Sequence, residues 1–194
     1  STKVNTTLQN LGEKIKYDSQ KELPIYLEQK HDSTDTIIDV IARQWNWEFK
    51  YPEGFSSSEL HIPINKKVYF RLISKDVIHG FYIPAFRLKQ DIIPGSIISY
   101  SLTPTRKGTY RLRDSMFSGA YFSQNQTNVI VESDDSYQAW IKKTVKKVPV
   151  NGLNRAGFLY EKRLEKGDKG WATIPPSPPP LVNDPGDPDS PHEG

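Results

Sequence analysis

Residues able to carry acid–base or metal chemistry are few in this chain. Its 194 residues include four histidines, His31, His61, His79 and His192, and no cysteine. No two histidines stand at i, i+4, and none sits in a cluster with metal-ligand spacing. The absence of thiols excludes a disulfide framework, a thiolate zinc site, an iron–sulfur cluster and a cysteine nucleophile. No Gly-x-Ser-x-Gly elbow presents a serine, and the 12 glycines are scattered rather than gathered into a phosphate loop. The pair Asp134–Asp135 opens a helical pattern, where the helix dipole accounts for it. His79 follows Asp76-Val77-Ile78 and precedes Gly80-Phe81, and reads as a packed, hydrogen-bonded core histidine. Residue types and spacing alone give an all-β binding domain with no catalytic constellation.

The elements that must position these residues are mostly strands. Thr36–Ala42 is dominated by β-branched residues. In Gln44–Tyr51, Trp45, Trp47, Phe49 and Tyr51 recur at every second position, which predicts one aromatic strand face. Lys67–Ile73, Ile97–Leu102, Thr109–Leu112 and Asn128–Glu132 read the same way, and Gly and Pro punctuate them. Short strands at 8–12-residue spacing predict a sandwich or barrel rather than a parallel α/β fold. A helix is predicted over Asp134–Lys147, with Ser133 as N-cap and Tyr137, Trp140, Ile141, Thr144 and Val145 on one face. A second short helix is predicted over Ala156–Glu165.

Four regions follow: a polar lead-in at 1–35, a β domain at 36–133, a helical extension at 134–170 and a tail at 171–194. The tail holds 8 of the 15 prolines and four acidic residues but no Lys or Arg. It is expected to be extended or disordered, with too few backbone donors for helix or sheet and Trp171 as its surface contact. The whole chain has 26 Lys+Arg against 23 Asp+Glu, a formal charge of +3. Without the tail's four acids the balance is 26 − 19 = +7. That is too small and too even to predict nucleic-acid binding. No apolar run approaches the roughly 20 residues that span a bilayer, and no signal-peptide pattern opens the chain. It reads as a soluble polypeptide, or as a piece of an anchored one.

Three stretches, in order and spacing, resemble subunit II of the haem–copper terminal oxidases. Ala42–Gly54, ARQWNWEFKYPEG, is similar to the family's aromatic strand. Ser74–Gly95, SKDVIHGFYIPAFRLKQDIIPG, resembles the segment carrying the first copper-ligand histidine and its Leu-Lys-x-Asp-x-Ile-Pro-Gly turn. Gly108–Val131 aligns without a gap, and the tail resembles those of cyanobacterial members. The resemblance implies a cupredoxin-type Greek-key β-barrel with a C-terminal helix and a Pro-rich tail. It also implies a place for a binuclear copper centre, held in the family by two Cys, two His, one Met and a Glu carbonyl. Here His79 stands at the first histidine, Asp114 and Ser118 at the two cysteines, Met116 at the glutamate, Phe122 at the second histidine and Asn125 at the methionine. Asp and Ser lack the soft thiolate donors that such a centre needs, and Phe122 has no donor. The loop centre is therefore expected to be filled by packing, with Phe122 replacing ligand bonds by apolar contact. Met116 also removes a carboxylate that binds magnesium in the family.

Further roles follow from the resemblance. Trp45 is the candidate for the place where electrons enter, and Lys89 and Asp91 for the turn facing subunit I. The expected protein is a non-catalytic subunit of a terminal oxidase complex, holding neither metal nor cofactor itself. It would cap subunit I on the periplasmic or thylakoid-lumenal side of a membrane. Electrons would come from a membrane quinol, as in the cyanobacterial alternative respiratory oxidases. The alternative is a copper-free docking module for a soluble donor, a c-type cytochrome or plastocyanin. A free structural or copper-handling cupredoxin is a third reading, disfavoured by the missing Cys and Met donors.

Overall fold

The β-branched and aromatic runs fold into two five-stranded sheets that face each other. The computed structural model describes residues 15–17, 24–26, 35–167, 174–187 and 189–192. Most of the lead-in and Trp171 fall outside the described residues. Within the lead-in, β1 (Ile15–Tyr17) and β2 (Pro24–Tyr26) pair antiparallel. The domain continues through β3 (Thr36–Arg43), β4 (Asn46–Lys50), β5 (Ser56–Ser57), β6 (Leu60–Pro63), β7 (Val68–Ser74) and β8 (His79–Ile83). It is completed by β9 (Leu88–Ile92), β10 (Ile98–Leu102), β11 (Gly108–Asp114) and β12 (Gln126–Glu132). One sheet runs β10-β7-β3-β4-β5 and the other β6-β12-β11-β8-β9. Pairing is antiparallel except for β3 with β7 and β6 with β12. Those two parallel contacts arise because the chain leaves one sheet for the other and returns, as the expected Greek-key barrel requires.

Alternation decides what lies between the sheets. Ile38 and Val40 on β3, Phe70 and Leu72 on β7, Leu112 on β11 and Val129 on β12 have no exposed surface. Burial of each such side chain contributes about 1.5–3 kcal/mol. Trp47, Phe49 and Tyr51 join the same core, but Trp45 does not. It lies in the β3–β4 turn, before β4 begins, and belongs to a separate cluster with Tyr121 and Ala156. The period of two predicted for all four aromatics thus fails at its first member. The reason is that the turn, not the pleat, sets the direction of Trp45.

Helix α1 (Asp134–Thr144) starts as predicted, with the Ser133 hydroxyl accepting the Ser136 N–H. It stops three residues earlier than predicted. Lys147 N–H bonds to Thr144 O in a closing turn, and Pro149 cannot continue a helix. Val145, predicted to be buried, is 42% exposed as a result. Trp140 of α1 packs edge-on to Tyr51 and Phe55 and stacks on His61 at 3.9 Å. Strand β13 (Val150–Asn151) and helix α2 (Arg155–Glu165) follow, the latter capped by Asn154.

The tail corrects a third expectation. Strand β14 (Leu181–Val182) pairs with β13. Asn183 exchanges two hydrogen bonds with the backbone of Ser56, and Ser58 N–H donates to Asp184 O at 2.8 Å. The Trp140 indole N–H donates to Asp184 Oδ2 at 2.7 Å, and Asp187 N–H to Glu59 Oε1 at 2.9 Å. The prolines silence their own nitrogens only. Leu181, Val182, Asn183 and Asp184 lie between proline groups and keep their donors.

Trp140→Phe keeps the aromatic packing and removes the bond to Asp184. Urea denaturation should show a loss of about 1 kcal/mol, and limited proteolysis should cut the tail faster than in the wild type.

Candidate functional site

Four of the residues singled out in the sequence meet at one end of the barrel. β11 ends at Asp114 and β8 begins at His79, on paired neighbouring strands. His79 Nδ1 lies 2.6 Å from Asp114 Oδ2, and Asn125 Nδ2–H donates to the same oxygen at 3.0 Å. Asp114 Oδ1 accepts the backbone N–H groups of Gly80 at 2.8 Å and Met116 at 3.0 Å. The carboxylate thus takes four donors. On the other side of the ring, His79 Nε2 lies 2.6 Å from Asp76 Oδ1. Asp76 also accepts the N–H groups of Val77 and Gln44. His79 and Asn125 have no exposed surface, and the Asp114 side chain has none.

Two carboxylate acceptors call for two N–H donors, so the His79 ring is an imidazolium. Burial opposes that charge. The hydrogen bonds to Asp114 and Asp76 and their negative charges outweigh it and hold the His79 pKa up at about 9. For Asp76, burial raises the pKa, but the bonds from His79, Val77 and Gln44 outweigh it and the net shift is downward. Asp76 was not recognised in the sequence as a site residue. Its signal was the Asp-x-x-His spacing, which the turn before β8 folds back into contact.

The remaining positions do other work. Ser118 Oγ accepts the Trp45 indole N–H at 2.9 Å, and its carbonyl accepts the Gln44 side-chain amide. Trp45 is 2% exposed and meets Tyr121 edge-on at 5.4 Å between ring centres. Gly119 (φ +129°) lets the loop cross this ring, since a Cβ there would lie 2.7 Å from Trp45 Cζ2. Phe122 does not fill the loop centre as expected. It is half-buried at the rim, against Phe117 and the Trp45 cluster, while hydrogen-bonded polar groups occupy the centre. Met116 is half-buried and engages Asp114 through its main chain alone among the described contacts. Lys89 and Asp91 lie not in a turn but on β9, as alternate exposed residues between buried Leu88 and Ile92. They are outside the His79 cluster.

Two facing β-sheets in this strand order, with a histidine-centred cluster beneath the β11–β12 loop, define a cupredoxin-type domain. Residues 55–134 match the family "Cytochrome C oxidase subunit II, periplasmic domain", and over that stretch the chain is similar to subunit II of the haem–copper oxidases. Cytochrome c oxidase subunit 2 of Thermostichus vulcanus is 41% identical over 107 residues, which is 55% of this chain and 32% of that protein. Quinol oxidase subunit 2 of Bacillus subtilis is 25% identical over 124 residues, covering 63% and 39%. The crystal structure of the periplasmic domain of subunit II of cytochrome oxidase from Bradyrhizobium japonicum shares the fold, with a TM-score of 0.54 at 24% identity over 58% of this chain and 94% of that one. The chain spans from 32% to 54% of the length of the curated relatives it matches.

The folded-state pKa of His79 lies above the unfolded value near 6.5. Its stabilising contribution is therefore complete below pH 6.5 and lost as pH rises through about 9. Urea denaturation at pH 6 and pH 10 should differ by at most about 3 kcal/mol from this group, and His79→Gln should flatten that dependence. Asp114→Ala strands the buried imidazolium and three N–H donors, and should cost about 3 kcal/mol or more at pH 6.

Proposed function

We propose that this chain supplies the soluble domain of subunit II in a terminal oxidase that lacks the binuclear copper centre and is fed by a membrane quinol. It caps subunit I on the periplasmic or lumenal side and carries no redox centre of its own. The observation that carries this reading is the commitment of the donor atoms at the former ligand positions. Both His79 nitrogens hold carboxylates, and both Asp114 oxygens are saturated. Ser118 Oγ is taken by Trp45, and Phe122 has no donor. What is left is Asn125 Oδ1, a hard, neutral oxygen, and the single neutral thioether of Met116. Two coppers held at short distance need soft anionic bridges, so this donor set does not fit the centre.

The burial of Trp45 supports the same reading. Its ring lies under Tyr121 and packs with Ala156 of α2. The tail binds the residue beside it, through Ser177 N–H to Gln44 O at 2.6 Å. A soluble protein donor would find little of the ring to approach. The relative named as a quinol oxidase subunit agrees with a quinol-fed complex.

Oxygen consumption by the complex of this chain with its subunit I, offered quinol or reduced soluble donors, tests the reading. Turnover on quinol should change by less than about twofold between low and high salt, because no charged protein must dock. Turnover on a c-type cytochrome or plastocyanin, absent on quinol and falling about tenfold or more with salt, would overturn it in favour of a docking module.

A further inference from the structure

Asn151 and Gly152 form the single Asn-Gly pair in the sequence. Such a pair ordinarily marks a hairpin turn, but here Asn151 ends strand β13 as an exposed residue. It is paired with Leu181 of β14 in the tail. The next N–H in the chain, that of Gly152, donates to Pro180 O at 2.8 Å. Space rather than backbone angle requires the glycine: a Cβ would lie 2.6 Å from Ser58 Oγ and 3.2 Å from Pro180 O. Ser58 Oγ is itself held by the Leu153 N–H at 3.1 Å. The tail can dock this closely only over a glycine, and that glycine follows an asparagine.

An asparagine before a glycine is a reactive pair, because no side chain shields the glycine nitrogen. That nitrogen gives its proton to a solvent base and bonds to the asparagine Cγ. The Cγ–Nδ2 bond breaks, and ammonia leaves with a proton returned to it. Water then opens the succinimide ring at one of its two carbonyls, giving aspartate or isoaspartate. Only water is consumed, and no electron is transferred. Ring closure needs the Cβ–Cα–C–N torsion of the asparagine close to planar, whereas a strand ψ holds that nitrogen well out of the plane. In β13 the torsion is fixed by the ladder with β14, and the N–H of the nucleophile is taken by Pro180 O. Both restraints come from the tail.

We propose that Asn151 is a self-modification site gated by the tail. While β14 is paired, the site is inert. Local opening of this short ladder frees ψ of Asn151 and the Gly152 N–H together, and the ring can close. Isoaspartate routes the main chain through Cβ and lengthens it by one bond at residue 151. Gly152 then no longer reaches Pro180 O while Val150 keeps its pairing with Val182. A tail that stays open long enough to react therefore does not return to its place. The uncovering of the Ser56 backbone and of Gln44 O becomes permanent. The site is apart from the His79 cluster and does not depend on the quinol reading.

The test follows the tryptic peptide 148–155 of the full chain by mass spectrometry, with isoaspartate told from aspartate by backbone fragmentation. Wild type is held at mildly alkaline pH in buffer and in urea. Beside it stand Asn183→Ala and Trp140→Phe, which remove tail anchors and leave residues 148–155 intact. Conversion of Asn151 in native wild type should be about tenfold or more slower than in urea. Each variant should react about fivefold or more faster than wild type, the equilibrium value of one lost hydrogen bond. Protease should remove the tail faster from the isoaspartate-bearing fraction than from the unconverted chain. Equal rates in buffer and in urea, a comparison that needs no variant, overturn the proposal. So do an unchanged rate in either variant and equal protection of the tail in the two fractions.

Discussion

The end of the barrel depends on one carboxylate. Asp114 terminates β11 and draws donors from the start of β8, from its own loop and from the residue before β12. The start of β8, the end of β11, the loop after it and the residue before β12 are thereby fixed relative to one another. A buried carboxylate with fewer donors would protonate or drive the loop outward. With four donors and a cation beside it, it is an acceptor fully matched to its surroundings. Asp76 extends the arrangement through His79 to the β3–β4 turn, and so to the backbone that aims Trp45.

A metal centre and this cluster solve the same mechanical problem by different chemistry. Each must hold a long loop over the open end of a β-barrel. A soft metal does so through directed bonds to thiolate and imidazole lone pairs. Here the cation in the middle is an imidazolium, and its partners are hard oxygens that accept rather than coordinate. The aromatic groups are displaced outward: Phe122 meets Phe117 at the rim, and Trp45 gives its indole N–H to Ser118.

Much of this was legible in the sequence because it rests on local pattern. The strand alternation in Lys67–Ile73 gave the buried Val68, Phe70 and Leu72, and Ser133 marked the start of α1. His79, Asp114 and Asn125 were singled out together by their spacing, and the structure brings these three into hydrogen-bonding contact. What was not legible depends on contacts distant in sequence. The pairing of His79 with Asp114 spans 35 residues, and Trp140 with Asp184 spans 44. Phe122 was expected at the loop centre because the resemblance sets it at a ligand position, whereas His79, Asp114 and Asn125 occupy the centre and Phe122 packs against Phe117 and the Trp45 cluster. The tail was misread because its proline count hid the few residues that keep their amides.

The tail's course across Ser56 and Ser58 has one more consequence. β5 is the last strand of its sheet, and its main-chain groups face outward beyond β4. Bare strands of that kind pair readily with a second molecule. Asn183 and Asp184 occupy those groups with the chain's own backbone and side chain. Pro185 follows at once and offers no amide of its own for further pairing. The C-terminal segment therefore covers an edge that would otherwise be open to edge-to-edge pairing, a task its composition alone does not suggest.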